Sequence, residues 1–384
     1  MPELLYTYVM KQVVVLGGGV AGMRVVVALS KVLPRNSITL VDRLGQHELP
    51  FASLLVSPTQ HDGLTKNSIE FSKLAQQFGF VYVRGMVQGM DMRERMVKLE
   101  NRTLSYDYAV LALGSSQTLL PDHTVSPVNR AYIQQVHHML QFALQRQRHA
   151  TTRQPLTIAV VGGGLVGVSA AAQLTPFVHS VAREHNFPIE RIRIVCFEQQ
   201  GRLLPAHAYE VGRAAEYCLH ALGVEVRCYT AIAKVEQSYV STVDGMEWPV
   251  DGVIWAAGWK AQDIRVEGGM LPIGSRNQIL VNNKFQTQLF PNIFCVGDQA
   301  SPPFPHRHGA VRETLAEAEY VASILPRVMQ NMRVNYYVPR NHAEYVPLGS
   351  GKALRILRNS AQTGLLARMG LRRAGRKYRS VLGV

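Results

Sequence analysis

The chain has 384 residues, 47% of them hydrophobic and 18% charged, which excludes a disordered chain, argues against a small disulfide-stapled one and sets the expectation of two or more packed domains. Lys and Arg number 41 against 27 Asp and Glu. Nine of the basic residues follow Gly351 and no acid follows Glu344, so much of the +14 net charge sits in a tail and gives no sign of a nucleic-acid-binding body.

The N-terminal stretch has neither the apolar region nor the cleavage site of a secretory leader, and no apolar run approaches the roughly 18 residues of a membrane span. Any membrane contact is therefore expected to be peripheral. The first apolar run, Gln12 to Leu16, is short and β-branched and leads directly into Gly17-Gly18-Gly19-Val20-Ala21-Gly22. A GxGxxG sequence between a strand and a helix gives a tight turn at Gly17, room for a pyrophosphate at Gly19 and close helix packing at Gly22. The helix expected from Met23 to Leu33 points its free N–H groups at the phosphates. A second strand, Ser37 to Val41, leads to Asp42, where a carboxylate can accept both ribose hydroxyls. His47, on the loop that follows, reads first as a solvated residue.

The segment Tyr106 to Ser115 reads as a strand ending in small residues, and Ile133 to Gln147 as an amphipathic helix after a Pro/Ser/Thr-bearing linker. The first pattern then returns 145 residues later, with strand Thr157 to Val161, Gly162-Gly163-Gly164-Leu165-Val166-Gly167, a helix through Leu174, and a strand Ile192 to Phe197 followed by Glu198. Two such units indicate paired dinucleotide domains. The charge of Glu198 repels a 2′-phosphate, which favours NADH over NADPH at the second site. Val250 to Gly258 repeats the form of Tyr106 to Ser115, and Asn292 to Val296 is a strand leading to Gly297 and Asp298, at the end where ligands of parallel sheets collect. Cys196 and Cys295 fall inside apolar strands and read as core; with Cys218 and Cys228 they form no CxxC pair and no zinc spacing, so no metal is expected and a reducing compartment is.

The order GGGxxG, LALGS, GGGxxG, AAG, CVGD resembles the two-dinucleotide flavoprotein superfamily over residues 11–335, and within it the type II NADH dehydrogenase and apoptosis-inducing-factor-like (ferroptosis-suppressor-type) branch. The resemblance implies an α/β fold with two Rossmann-like domains, the second inserted in the first. It divides the chain into an FAD domain at 1–120 and 266–335, an NADH domain at 121–265, and a short basic membrane- or partner-binding region at 336–384. It further implies that Gly17, Gly19, Gly22 and Asp42 hold the ADP half of FAD, Val87 contacts the adenine, Ala112 and Gly114 line the pyrophosphate, and Gly297 and Asp298 reach the ribityl chain. Gly162, Gly164, Gly167, Glu198 and Gly258 would hold NADH. His308 and Gly309 would begin the helix that faces the flavin ring near the acceptor.

One position departs from the pattern. The family's second glycine motif continues Gly-Val-Glu, with the carboxylate near the flavin; here it continues Gly167-Val168-Ser169. Three readings stay open. The first is a peripheral enzyme on the cytoplasmic side of a membrane that oxidises NADH and reduces a quinone or another small acceptor. The second is a soluble NADH-dependent reductase of an electron-carrier protein, docked through the basic tail. The third is a slow NADH-binding redox sensor, which the uncharged Ser169 keeps in play. The tail interleaves Leu354, Ile356, Leu357, Leu365, Leu366, Met369 and Leu371 with arginines, as an anionic lipid surface would require, although a homodimer contact or packing on the FAD domain fits too. Its four glycines predict that it is not one continuous helix.

Overall fold

Four consecutive buried aliphatic residues make Val13–Leu16 a strand with both faces covered (β1), the mark of a parallel sheet. The computed structural model describes residues 11–49, 68–117, 120–127, 132–149, 154–305, 309–349 and 352–383. After β1 come helix Val20–Leu29 (α1), strand Ile38–Asp42 (β2), helix Phe71–Phe78 (α2), strand Val81–Arg84 (β3), strand Tyr108–Leu111 (β4) and the short strand Ser115–Gln117 (β5). Helix Tyr132–His149 (α3) precedes the second unit: strand Leu156–Val161 (β6), helix Leu165–Glu184 (α4), strand Ile192–Phe197 (β7), helix Tyr209–His220 (α5), strand Val224–Arg227 (β8), strand Gly252–Trp255 (β9) and the short strand Trp259–Ala261 (β10). The chain ends with strand Ile293–Cys295 (β11), helix Val311–Met329 (α6), strands Glu344–Pro347 (β12), Ala353–Leu357 (β13) and Ser360–Gln362 (β14), and helix Leu365–Leu382 (α7).

Two parallel sheets result. The first has the order β11-β4-β1-β2-β3; the second places a two-residue strand, Thr124–Val125, beside β9-β6-β7-β8. Every strand of the second sheet lies in sequence between β4 and β11 of the first, so one nucleotide fold is inserted in the other. The two crossings meet, because β5, leaving the first sheet, pairs antiparallel with β10, leaving the second. On the first sheet α1 packs along α6, with Arg24 donating to Glu319 Oε1 across the contact at 2.7 Å.

The helix after the second glycine loop runs ten residues beyond Leu174, straight through Pro176, because Val178, Val181 and Ala182 continue its buried face. The tail, as expected, is not one continuous helix: β13 and β14 precede α7, which begins after Gly364. Within it α7 nevertheless runs unbroken from Leu365 to Leu382 across Gly370 and Gly375. Gly370 is there for contact, not as a break: a Cβ would come within 2.4 Å of the Tyr345 ring. The tail is also built into the body. Strands β12 to β14 form an antiparallel sheet, Leu354 and Ile356 share a core with α4, and Tyr378 and Leu382 belong to the core of the first sheet.

Candidate dinucleotide sites

The two glycine loops have the same construction. Gly17 and Gly162 sit at φ +102° and +110°, each pressed on its return strand so closely that a Cβ would meet the backbone of Ala112 or Ala256 at 2.3 or 2.9 Å. Their amides donate to carbonyls at the ends of the neighbouring strands, Gly17 to Val41 and Gly162 to Phe197, both at 2.8 Å. A Cβ on Gly22 or Gly167 would strike the carbonyl oxygen of Gly17 or Gly162 at 1.8 or 1.7 Å, so only glycine lets each helix start this close. At Gly19 and Gly164, the extended N-cap residues of α1 and α4, the space a Cβ would enter is open. Each loop is thus closed on its protein side and open where the helix dipole points.

The two acids close the loops in the same way. Asp42 accepts from the Gly18 amide at 2.7 Å and from the Leu44 amide at 2.7 Å. Glu198 accepts from Gly163 at 2.7 Å and from Gln200 at 2.8 Å. Each carboxylate is therefore fixed beside its loop by one bond to a glycine and one to its own turn, while two oxygens offer about four acceptor positions. Val87, which opens the strand Val87–Asp91, lies two residues after Gly85, whose amide donates to the Asp42 carbonyl at 3.0 Å and so brings the start of that strand to the end of β2.

A second convergence lies at the ends of β4 and β11. Asp298 Oδ2 accepts from the Ser115 hydroxyl at 2.8 Å and Oδ1 from the Gly309 amide at 2.7 Å, joining β5, β11 and the start of α6. Gly297, at φ +71°, donates its amide to Glu317, which is fully buried on α6, at 3.0 Å. Gln299 accepts from the Leu113 amide at 3.0 Å, which ties the segment Ala112 to Gly114 to the same turn. Gly114 and Gly258 take corresponding places, both left-handed and both just before the crossing strands β5 and β10.

Ser169 is placed elsewhere. It is buried on α4, donates its hydroxyl to the Pro347 carbonyl of β12 at 2.9 Å, and accepts from Gln173 at 2.9 Å. That hydroxyl holds the C-terminal sheet and has no free approach to a ligand. His308 lies outside the described residues; Gly309 is described, in the contact with Asp298. His47 is not solvated: it is buried, with Nδ1 2.8 Å from the Gly18 carbonyl oxygen and Nε2 2.9 Å from the Tyr378 hydroxyl. Sequence reasoning missed Ser115, Glu317, Gln299 and Tyr378, whose partners are distant in the chain. Ser115 alone carried a signal, as the last residue of the return strand.

The sequence profile of the pyridine nucleotide-disulphide oxidoreductase family matches residues 11–314. A type II NADH:quinone oxidoreductase of Haemophilus influenzae is 25% identical over 330 residues, covering 76% of this chain and 74% of its own. Among solved structures, NDH2 of Plasmodium falciparum in complex with NADH has a TM-score of 0.80 at 14% identity, over 97% of this chain and 96% of that one. The sulfide:quinone oxidoreductase of Aquifex aeolicus has a TM-score of 0.77 at 17% identity, over 97% and 91%. At these identities the structural likeness is one of fold.

Proposed function

The chain belongs to the pyridine nucleotide-disulphide oxidoreductase family and is a flavin-dependent oxidoreductase that uses FAD and NADH; on that premise we propose that it passes the electrons of NADH to a quinone at a membrane surface. The observation that carries this reading is the duplicated loop, closed everywhere except at Gly19 and Gly164, each with a fixed carboxylate beside it. Those features fit two dinucleotides in one chain. FAD supplies the acceptance of hydride and the return of electrons.

The residues themselves bind and orient. Gly17, Gly19 and Gly22 would receive the pyrophosphate of FAD and Asp42 its ribose. Ala112, Gly114, Gly297 and Asp298 would line the remainder toward α6, with Ser115 and Gly309 fixing the direction of the Asp298 carboxylate. Gly162, Gly164, Gly167 and Gly258 would receive NADH, with Glu198 accepting its ribose hydroxyls. Ser169 supports the fold of this site and is not assigned a part in the chemistry. Burial raises all four cysteine thiols, Cys196 to about 12, so none is poised as a thiolate relay.

The membrane part of the reading rests on α7. Its inner face is Ala367, Leu371, Tyr378 and Leu382; its outer face exposes Leu365 and Leu366 (69% each) and Met369 (56%) beside exposed Arg368, Arg372, Arg373, Arg376 and Lys377. Apolar side chains ringed by cations suit an anionic lipid surface. Helix α4 is long and apolar enough to cross a membrane, but two-thirds of that stretch is buried, as in a core helix.

The purified protein should be yellow, bleach on addition of NADH and recover its colour with a short-chain quinone. Turnover confined to an acidic carrier protein would favour the carrier-reductase reading, and bleaching without turnover the sensor reading. A folded protein that takes up no FAD would remove the scheme.

A further inference from the structure

The two glycine loops are matched bond for bond except at one carbonyl. In the second loop the Gly163 carbonyl accepts from a backbone amide, that of Leu204, at 2.8 Å. In the first loop the corresponding Gly18 carbonyl accepts from a side chain, His47. The middle glycine is pinned at both ends in each case, its N–H by an acid and its C=O by a donor from the segment after that acid, which for His47 is the short strand Gln46–Glu48. Only the first donor is connected onward, to Tyr378 on α7, 331 residues away.

The polarity of this chain of bonds is fixed. Burial pushes the His47 imidazole down to about 4, so it is neutral near pH 7, and burial raises the Tyr378 phenol, which keeps its proton. Tyr378 thus donates to Nε2, and Nδ1–H donates to the Gly18 carbonyl. The surroundings leave little slack: Phe71 lies so close to Gly18 that a Cβ there would overlap its ring, and the end of α7 is held by Gln77 of α2, which donates to the Leu382 carbonyl at 3.3 Å.

We propose that His47 and Tyr378 are positioning residues that set the orientation of the Gly18 peptide, so that α7 acts as a clamp on the loop that retains the flavin nucleotide. This rests on the reading of the first loop as the FAD site. Neither side chain touches the nucleotide in this scheme; each acts through the peptide that joins Gly18 to Gly19, whose carbonyl His47 holds and whose amide belongs to the open position at Gly19.

The test is the rate at which full-length protein releases FAD, followed by flavin fluorescence on dilution, beside the melting temperature and the KM for NADH. Tyr378→Phe should speed release roughly fivefold, the size of one lost hydrogen bond. His47→Ala, which leaves the carbonyl without a donor, should speed it more, and His47→Asn, which restores a donor near the Nδ1 position, should recover part of the loss and make Tyr378→Phe silent. Leu219→Ala on α5 is the control, opening a cavity in the other core and sparing α7; it should lower the melting temperature and leave FAD release unchanged. The clamp is refuted if Tyr378→Phe releases FAD no faster than wild type, or if Leu219→Ala speeds release as much as Tyr378→Phe. A wild-type protein that never takes up FAD overturns the reading of the loop itself and the clamp with it.

Discussion

The hydroxyl of Ser169 donates to the carbonyl of Pro347 at 2.9 Å, inside the contact between α4 and β12. A residue that sequence comparison would place beside the flavin is thereby occupied in attaching the C-terminal sheet to the second nucleotide domain. Ser169→Ala should cost about 1–3 kcal/mol by leaving the Pro347 carbonyl buried without a donor. Ser169→Glu should be worse, because it puts a carboxylate in a buried space against a carbonyl oxygen. Urea unfolding measures both; a glutamate variant as stable as wild type and faster in turnover would return this position to the chemistry.

At the second loop, Glu198 should set the choice of nucleotide. NADH should reduce the flavin with a much higher kcat/KM than NADPH, since the carboxylate accepts ribose hydroxyls and repels a 2′-phosphate. Glu198→Gln should narrow the gap mainly by losing NADH, since it also weakens the bond to the Gly163 amide, a charge-assisted contact of about 1.5–3 kcal/mol. Equal rates with both nucleotides in the unmutated protein would show that Glu198 does not discriminate.

The glycine loops were legible because their requirements are local. A tight turn, a close helix and an open N-terminus each demand glycine within six residues, and the acid that closes the loop follows at the end of the next strand. His47, Tyr378 and Ser169 were not legible for the opposite reason: their partners Gly18, His47 and Pro347 are brought near only by the completed fold. A histidine on a loop and a serine on a helix give no hint of burial. In the tail the glycines correctly signalled a break in any single helix, since α7 starts only after Gly364; what the average helix propensity of glycine did not show is that Gly370 sits inside that helix because the ring of Tyr345 leaves no room for a Cβ.

Acid should weaken the fold through His47. The unfolded imidazole takes a proton near pH 6.5 and the folded one near 4, so between those values the unfolded chain binds more protons and stability falls as the pH falls. Across the window the loss amounts to about 3 kcal/mol from this group, levelling off below pH 4. The ring donates to the Gly18 carbonyl and accepts from the Tyr378 hydroxyl, and both partners stay neutral here. Unfolding free energies of wild type and His47→Asn at pH 7, 5.5 and 4.5 isolate the term; parallel curves would mean that His47 titrates normally.

Catalysis should survive without cysteine. Cys196 and Cys295 are buried in β7 and β11, and burial raises all four thiols. Replacing the four with alanine should leave quinone reduction within about tenfold per bound flavin, a barrier change of about 1.4 kcal/mol. Loss of activity on changing one cysteine, with flavin content intact, would redirect the assignment to a thiol- or sulfide-dependent oxidoreductase.

The membrane assignment needs a test that spares the core. Removing residues 352–384 would strip Leu354, Ile356, Tyr378 and Leu382 from the interior, so truncation would report folding and not docking. Charge reversal on the outer face avoids this, because Arg368, Arg372, Arg373 and Arg376 are all exposed. With each cation near the surface contributing about 1 kcal/mol, changing the four to glutamate should weaken binding to anionic vesicles by more than about a hundredfold. Salt should weaken binding of the wild type, and the rate from NADH to a soluble acceptor should stay the same in both proteins. Leu365→Ser with Leu366→Ser should reduce vesicle binding at high salt, where insertion of the apolar edge outweighs the screened charge. Undiminished vesicle binding by the charge-reversed protein would exclude α7 as the docking element. Loss of turnover with an acidic carrier protein, beside unchanged vesicle binding, would assign the basic face to a protein partner.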